Sequence, residues 1–184
     1  MQLSEGIKPV DSYFFLRMVK KLYKIGDYVV YKRDVCKIIA IKEKQFMNMD
    51  YYVLVPISDE TLKIDVPTNN KMGYLRSIIT KEEVEKIIKN ISNIEPIKSN
   101  DRMIENEYRN LFHTNKHEDL IKIIKTTYLR NKERIDNNKK IGGTDDEYFK
   151  QAEKYLYNEF SVALNMSYDD TKKYVIDKVK EING

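Results

Sequence analysis

Few side chains in this chain are suited to catalysis: two histidines and one cysteine. His113 and His117 stand four apart, a spacing that lets two imidazoles of one helix face ligate a metal, with Glu118 or Asp119 adjacent. Thr114-Asn115 between them reads as a helix end followed by an N-cap, which puts the histidines on different elements, and no third ligand follows at a recognised spacing. Cys36 lies inside an apolar run, where a free cysteine behaves as a small buried hydrophobe rather than a nucleophile. A Gly-rich phosphate loop, a Gly-x-Ser-x-Gly elbow and a His-Glu-x-x-His pattern are all missing, and six glycines leave little room to cradle a nucleotide. The residues point to a binding protein, not an enzyme, with no cofactor and no metal.

Charge gives the more useful chemistry. The 184 residues carry a net charge of +4 at a pI near 8.8, too mild for nucleic-acid binding by bulk charge, so distribution matters more than the sum. Residues 18–79 hold 11 Lys and Arg against 7 Asp and Glu, whereas residues 80–184 hold 20 of each. Within that neutral half, residues 122–140 carry seven cations (Lys122, Lys125, Arg130, Lys132, Arg134, Lys139, Lys140) against Glu133 and Asp136. Such a stretch is either the wet side of an amphipathic helix or a set of phosphate contacts giving salt-dependent, sequence-independent affinity. Fourteen tyrosines and no tryptophan would suit an interface, but Tyr51, Tyr108, Tyr128 and Tyr155 fall on apolar faces and read as core.

The elements that must position these groups follow from periodicity. Residues 1–17 fit no template and read as a leader outside the fold; the Tyr13–Leu16 patch is too short for a signal peptide. Five short β-branched or aromatic runs follow, Tyr28–Tyr31, Val35–Ile41, Tyr51–Ile57, Leu62–Val66 and Tyr74–Ile79, separated by turn-like residues, and predict five strands closing a small barrel. At Thr80 the period changes: Thr80–Glu83 is a capping box, and Val84, Ile87, Ile88 and Ile91 follow at helical spacing. Four more helices are expected near 101–112, 116–134, 144–163 and 167–182, with capping boxes at Thr144–Glu147 and Ser167–Asp170. Strands then helices, without alternation, predict an α+β chain of two small domains, 18–79 and 80–184, with a linker near 92–100. Hydrophobic runs broken within about ten residues leave no membrane span, and one cysteine fits a reducing, cytoplasmic setting.

The strand segment resembles a known family. Gly26-Asp27-Tyr28-Val29-Val30-Tyr31, Tyr51-Tyr52-Val53-Leu54, Val66-Pro67 and Gly73-Tyr74-Leu75-Arg76 are similar, in order and spacing, to elements of the CarD/CdnL family of bacterial transcription regulators. The helical half agrees through Arg102, Leu111 and the set Ala152, Leu156, Glu159. The resemblance covers about residues 18–182. It implies a Tudor-like barrel, related to the polymerase-interacting domain of transcription-repair coupling factor, that docks on the RNA polymerase β subunit. It also implies a helical domain against promoter DNA at the upstream edge of the bubble, modulating open-complex stability. The implied polymerase-binding positions are Lys44 and Asp65, together with Arg33 and Arg76.

Departures from the family pattern bear on mechanism. Arg33-Asp34-Val35-Cys36 replaces the family's His-Gly-Val-Gly turn, and Asp65 stands where relatives carry a basic residue. The tryptophan wedge two residues before the family arginine is here Asn100, before Arg102, and asparagine lacks the apolar area to fill an unstacked base step. Asp146-Glu147 replaces a basic pair at the start of the penultimate helix. DNA contact is thereby expected to fall to Arg102, Arg109, Lys139 and Lys140, with Asn100 at the wedge position; the alternative is a polymerase-binding adaptor without significant DNA contact.

Overall fold

A computed structural model of the chain describes residues 23–114 and 116–183; the leader reading of residues 1–17 and the cap at Asn115 lie outside them. Five strands, β1 (Tyr28–Tyr31), β2 (Asp34–Phe46), β3 (Met49–Pro56), β4 (Ile64–Pro67) and β5 (Leu75–Ser77), are followed by α1 (Lys81–Asn90), a 3-10 turn Ile91–Asn93, α2 (Ile104–His113), α3 (His117–Asp136), α4 (Gly143–Leu164) and α5 (Tyr168–Asn183). The strands form one antiparallel sheet in the order β4-β3-β2-β1-β5, with β4 and β5 at its ends.

Local chemistry sets the strand limits. Met47 and Asn48, the two residues between the paired Phe46 and Met49, both have positive φ (51° and 55°), as a tight primed turn requires. Leu62, expected to open the fourth strand, sits in a turn instead: Asp59 accepts from both the Thr61 amide and hydroxyl, and the Asp59 carbonyl accepts from the Leu62 amide. The fifth strand stops at Ser77 because the Ile79 amide donates to the Glu159 side chain, not to a neighbouring strand.

Both faces of the central strands are covered. Val29 opposite Cys36 belongs to a core with Tyr52, Leu54, Val66 and Leu75, while Val30 opposite Val35 is equally buried on the other face, towards the helices, where α4 packs on β2. Burial, and Asp34 nearby, push the Cys36 thiol up to about 12. The folded protein is therefore expected to leave a thiol reagent unconsumed at pH 8 and to react at once when unfolded in urea; labelling of the native protein at the unfolded rate would contradict this burial.

The helices pack around a core of Val84, Ile88, Ile121, Leu156, Phe160 and Val175, with a second cluster of Ile104, Tyr108, Phe112, Ile123 and Ala152 between α2, α3 and α4. The capping box at Thr80 and Glu83 forms in full, and Ser167 accepts from the Asp170 amide. The box expected at Thr144–Glu147 does not form. The N-cap of helix α4 falls two residues earlier, at Gly142, with no side-chain acceptor, and Glu147 instead accepts from Gln151.

The stretch 92–100 is also no free linker. Lys125 Nζ donates to the carbonyls of Ile91 (2.5 Å) and Ile94 (2.8 Å), the Ile97 amide donates to Thr126 Oγ1 (2.8 Å), and Ile94 is buried. Lys125 thus binds carbonyls at the start of the 3-10 turn and just beyond it, and the segment becomes a strap across α3. Of the four tyrosines read as core, Tyr108 is fully buried, Tyr51 and Tyr155 are half-buried, and Tyr128 is exposed at 58%. The last faces solvent because α3 turns its apolar side to α2 and α4.

Candidate nucleic-acid interface

The basic stretch divides once folded. Lys122 pairs with Asp119, Lys125 holds the strap, and Arg130 faces inward, with Nη1 donating to Asp101 (2.7 Å) and Nε to both oxygens of Asp145 (3.1 and 3.2 Å). Asp145 is 2% exposed and also accepts from the Tyr108 hydroxyl (2.8 Å). Burial, then the Asp145 carboxylate, raise the Tyr108 phenol. The carboxylate therefore ties α2, α3 and the start of α4 together. This use of Asp145 in the first turn of α4 accompanies the missing side-chain cap.

Around this anchor lies a groove of about 630 Å³, walled by the end of the strap, the start of α2 with Glu105, the C-terminal turn of α3, the loop before α4 and the N-terminus of α4. Arg102, Lys139 and Lys140 stand exposed at its rim, while Arg134 is half-buried within it. Among the described residues no carboxylate ion-pairs with any of these four. Four cations converge beside the amide end of a 22-residue helix, where the macrodipole adds positive potential. A concavity with this charge can hold phosphate oxygens.

Three of the expected DNA-contact residues, Arg102, Lys139 and Lys140, meet in this groove. Arg109 does not: it lies on α2, paired with Glu105 one turn away. Asn100 is exposed next to the strap's end, and its Oδ1 accepts from the Met103 amide (3.1 Å), which helps open α2. Asp146, one of the acidic pair, is neutralised by Lys150 at 2.7 Å.

The residues expected to meet polymerase separate into two groups. Lys44, at φ 47° in the irregular end of β2, is exposed, with its backbone amide donating to Asp50. Asp65 on edge strand β4 is exposed and pairs with Lys42 at 2.6 Å. Arg33 and Arg76 point the other way. The Arg33 guanidinium lies 5.2 Å from the Phe112 ring centroid, where burial pulls its pKa down, and Arg76 reaches Glu159 on α4. Both arginines join the sheet to the helices.

Glu159, named in the sequence only within the set Ala152, Leu156, Glu159 that carries the family resemblance, lies on the apolar stripe of α4 with Leu156 and Phe160, an unusual place for a carboxylate. It is 3% exposed and accepts from Arg76 Nη1 (2.5 Å) and Nη2 (2.8 Å) and the Ile79 amide (3.1 Å), and it bonds His117 Nε2 at 2.9 Å. Burial raises its pKa, but the Arg76 and His117 hydrogen bonds and charges outweigh that and bring it down to about 2. The two histidines indeed occupy different elements, His113 ending α2 and His117 starting α3, and the described residues contain no group of three metal-ligating side chains. No described helix is long and apolar enough to cross a membrane.

The fold and groove define an α+β protein with a phosphate-suited concavity in its helical half. A scan against protein-family models finds no match, and neither does a search of curated proteins.

Proposed function

We propose that the chain is a non-enzymatic transcription regulator of CarD/CdnL type, whose sheet half, read as a Tudor-like barrel, docks on the RNA polymerase β subunit and whose helical half lies along promoter DNA. The observation that carries the DNA half is the convergence of Arg102, Lys139 and Lys140, distant in sequence, on the rim of one groove. The docking half rests on the resemblance of the strand motifs, and it is supported by exposed apolar residues before β1 and on β1 and β2, Ile25, Tyr28 and Ile39, which suit a protein partner. With the wedge position held by Asn100, the DNA role on this reading is backbone contact rather than intercalation.

The test of docking uses the full chain and the isolated β subunit. Lys44→Glu leaves the backbone tie to Asp50 intact, so the fold is expected to survive while complex formation weakens several-fold and becomes less salt-sensitive. If the wild-type chain does not bind β under conditions in which a CarD relative does, the docking reading is lost. Binding to β without measurable affinity for duplex DNA at low salt leaves the adaptor.

A further inference from the structure

We infer that the floor of the basic groove is a binding site for a free oligophosphate, the triphosphate of a nucleotide or a short inorganic polyphosphate, and that its occupancy competes with duplex DNA at the rim. This deepens the proposed function, because it assigns regulation to the same groove and rests on that reading for the competition.

Rim and floor differ in what they can reach. The exposed cations, Arg102, Lys139 and Lys140, suit a straight duplex, which stays stiff over ~150 base pairs and does not bend into a pocket of this size unaided. Arg134 is half-buried among the floor residues, beside the first turn of α4; among the described residues no carboxylate ion-pairs with it, although its charge, after the Arg130 hydrogen bond, helps hold the Asp101 pKa down across the groove. A rod passing over the rim does not reach down to it. A compact chain of phosphates, carrying several charges on a few atoms, fits the concavity and reaches Arg134, the amides at the start of α4 and the rim lysines together.

Gly142 supports the assignment. A Cβ placed there would stand 3.0 Å from Asp145 Oδ2 and 3.4 Å from Arg134 Nε, although its φ of −73° is one that any residue adopts. The missing side chain thus does not serve backbone conformation. It lets the Arg134 guanidinium lie against the opening of α4, and it leaves the helix end without the side-chain acceptor that would occupy its amides.

The test is calorimetric titration of the full chain with inorganic tripolyphosphate, and with sulfate at matched ionic strength, plus displacement of a labelled 20-base-pair duplex by each. One tripolyphosphate per chain is expected, displacing the duplex where sulfate does not. Arg134→Gln and Gly142→Ala should each weaken tripolyphosphate at least tenfold, with Gly142→Ala changing duplex affinity less than twofold; circular dichroism and melting confirm that each variant folds. Gly142→Ala is the milder change, so it keeps the test open if loss of Arg134 perturbs α3. Equal displacement by sulfate, tripolyphosphate affinity untouched by both variants, or simultaneous binding of tripolyphosphate and duplex overturns the inference. Duplex binding with no tripolyphosphate binding sinks the site and leaves the DNA reading. Tripolyphosphate binding with no duplex binding does the reverse.

Discussion

Glu159→Leu is expected to destabilise the protein by about 3–5 kcal/mol, the range for removing one partner of a buried ion pair. The loss exceeds that of a single hydrogen bond because the carboxylate serves Arg76, the Ile79 amide and His117 at once, and each is left facing an apolar surface. Chemical denaturation would show a lower midpoint at unchanged slope. Acid dependence provides a second readout. The carboxylate is held near 2 in the folded chain, against 4.5 ordinarily. A depressed folded-state value means that its contribution is complete above about 4.5 and is lost as the pH falls from there towards 2. Glu159→Gln should therefore flatten the stability profile across that window, while the wild type declines steeply. A profile of equal steepness in the two proteins would show that the carboxylate is not ionised in the native state.

The second large effect concerns the rim. If Lys139 and Lys140 each neutralise a phosphate, Lys139→Gln with Lys140→Gln should reduce the slope of log K against log salt by about 1.8 and weaken duplex binding by about 60-fold at 0.1 M salt, with sequence preference unchanged. Arg109→Gln serves as the control: it removes a cation of the same helical half that is paired with Glu105 and lies outside the groove. Its slope should match the wild type. A slope lowered equally by Arg109→Gln and by a single rim substitution would indicate diffuse attraction to the whole surface and would remove the groove from the argument.

What could be read in the sequence was local. The capping box at Thr80 and Glu83 involves partners three residues apart, and the strand runs alternate with their turns, so both emerge from nearest neighbours. The Gly142 start of α4 was hidden because Thr144 and Glu147 have the right types and spacing for a box. What overrides them is Asp145, drawn into a tie with Tyr108, 37 residues away. Arg76 and Glu159, 83 residues apart, could not be matched to each other by any pattern of spacing; the family resemblance named each of them separately, without their pairing. Arg109 and Arg134 look alike in sequence, each a cation on an amphipathic helix. Which faces a groove depends on how α2, α3 and α4 pack.

The tie between Arg76 and Glu159, with Arg33 against Phe112, also governs reach. Two modules on a flexible tether explore a sphere, and the second binds with an effective concentration diluted over that volume. Here β5 is joined to α4 and the β1–β2 turn to α2 by side-chain contacts, and α1 follows the last strand after only three residues, so the groove sits at a set distance and angle from the sheet. A protein held by its sheet on a larger machine would then present the rim to one face of a passing double helix. Moving the DNA by half a helical turn, about five base pairs, would carry the matching phosphates to the far side. On the proposed docking, polymerase-dependent protection should depend on helical phase, as measured with a ruler rather than with a leash.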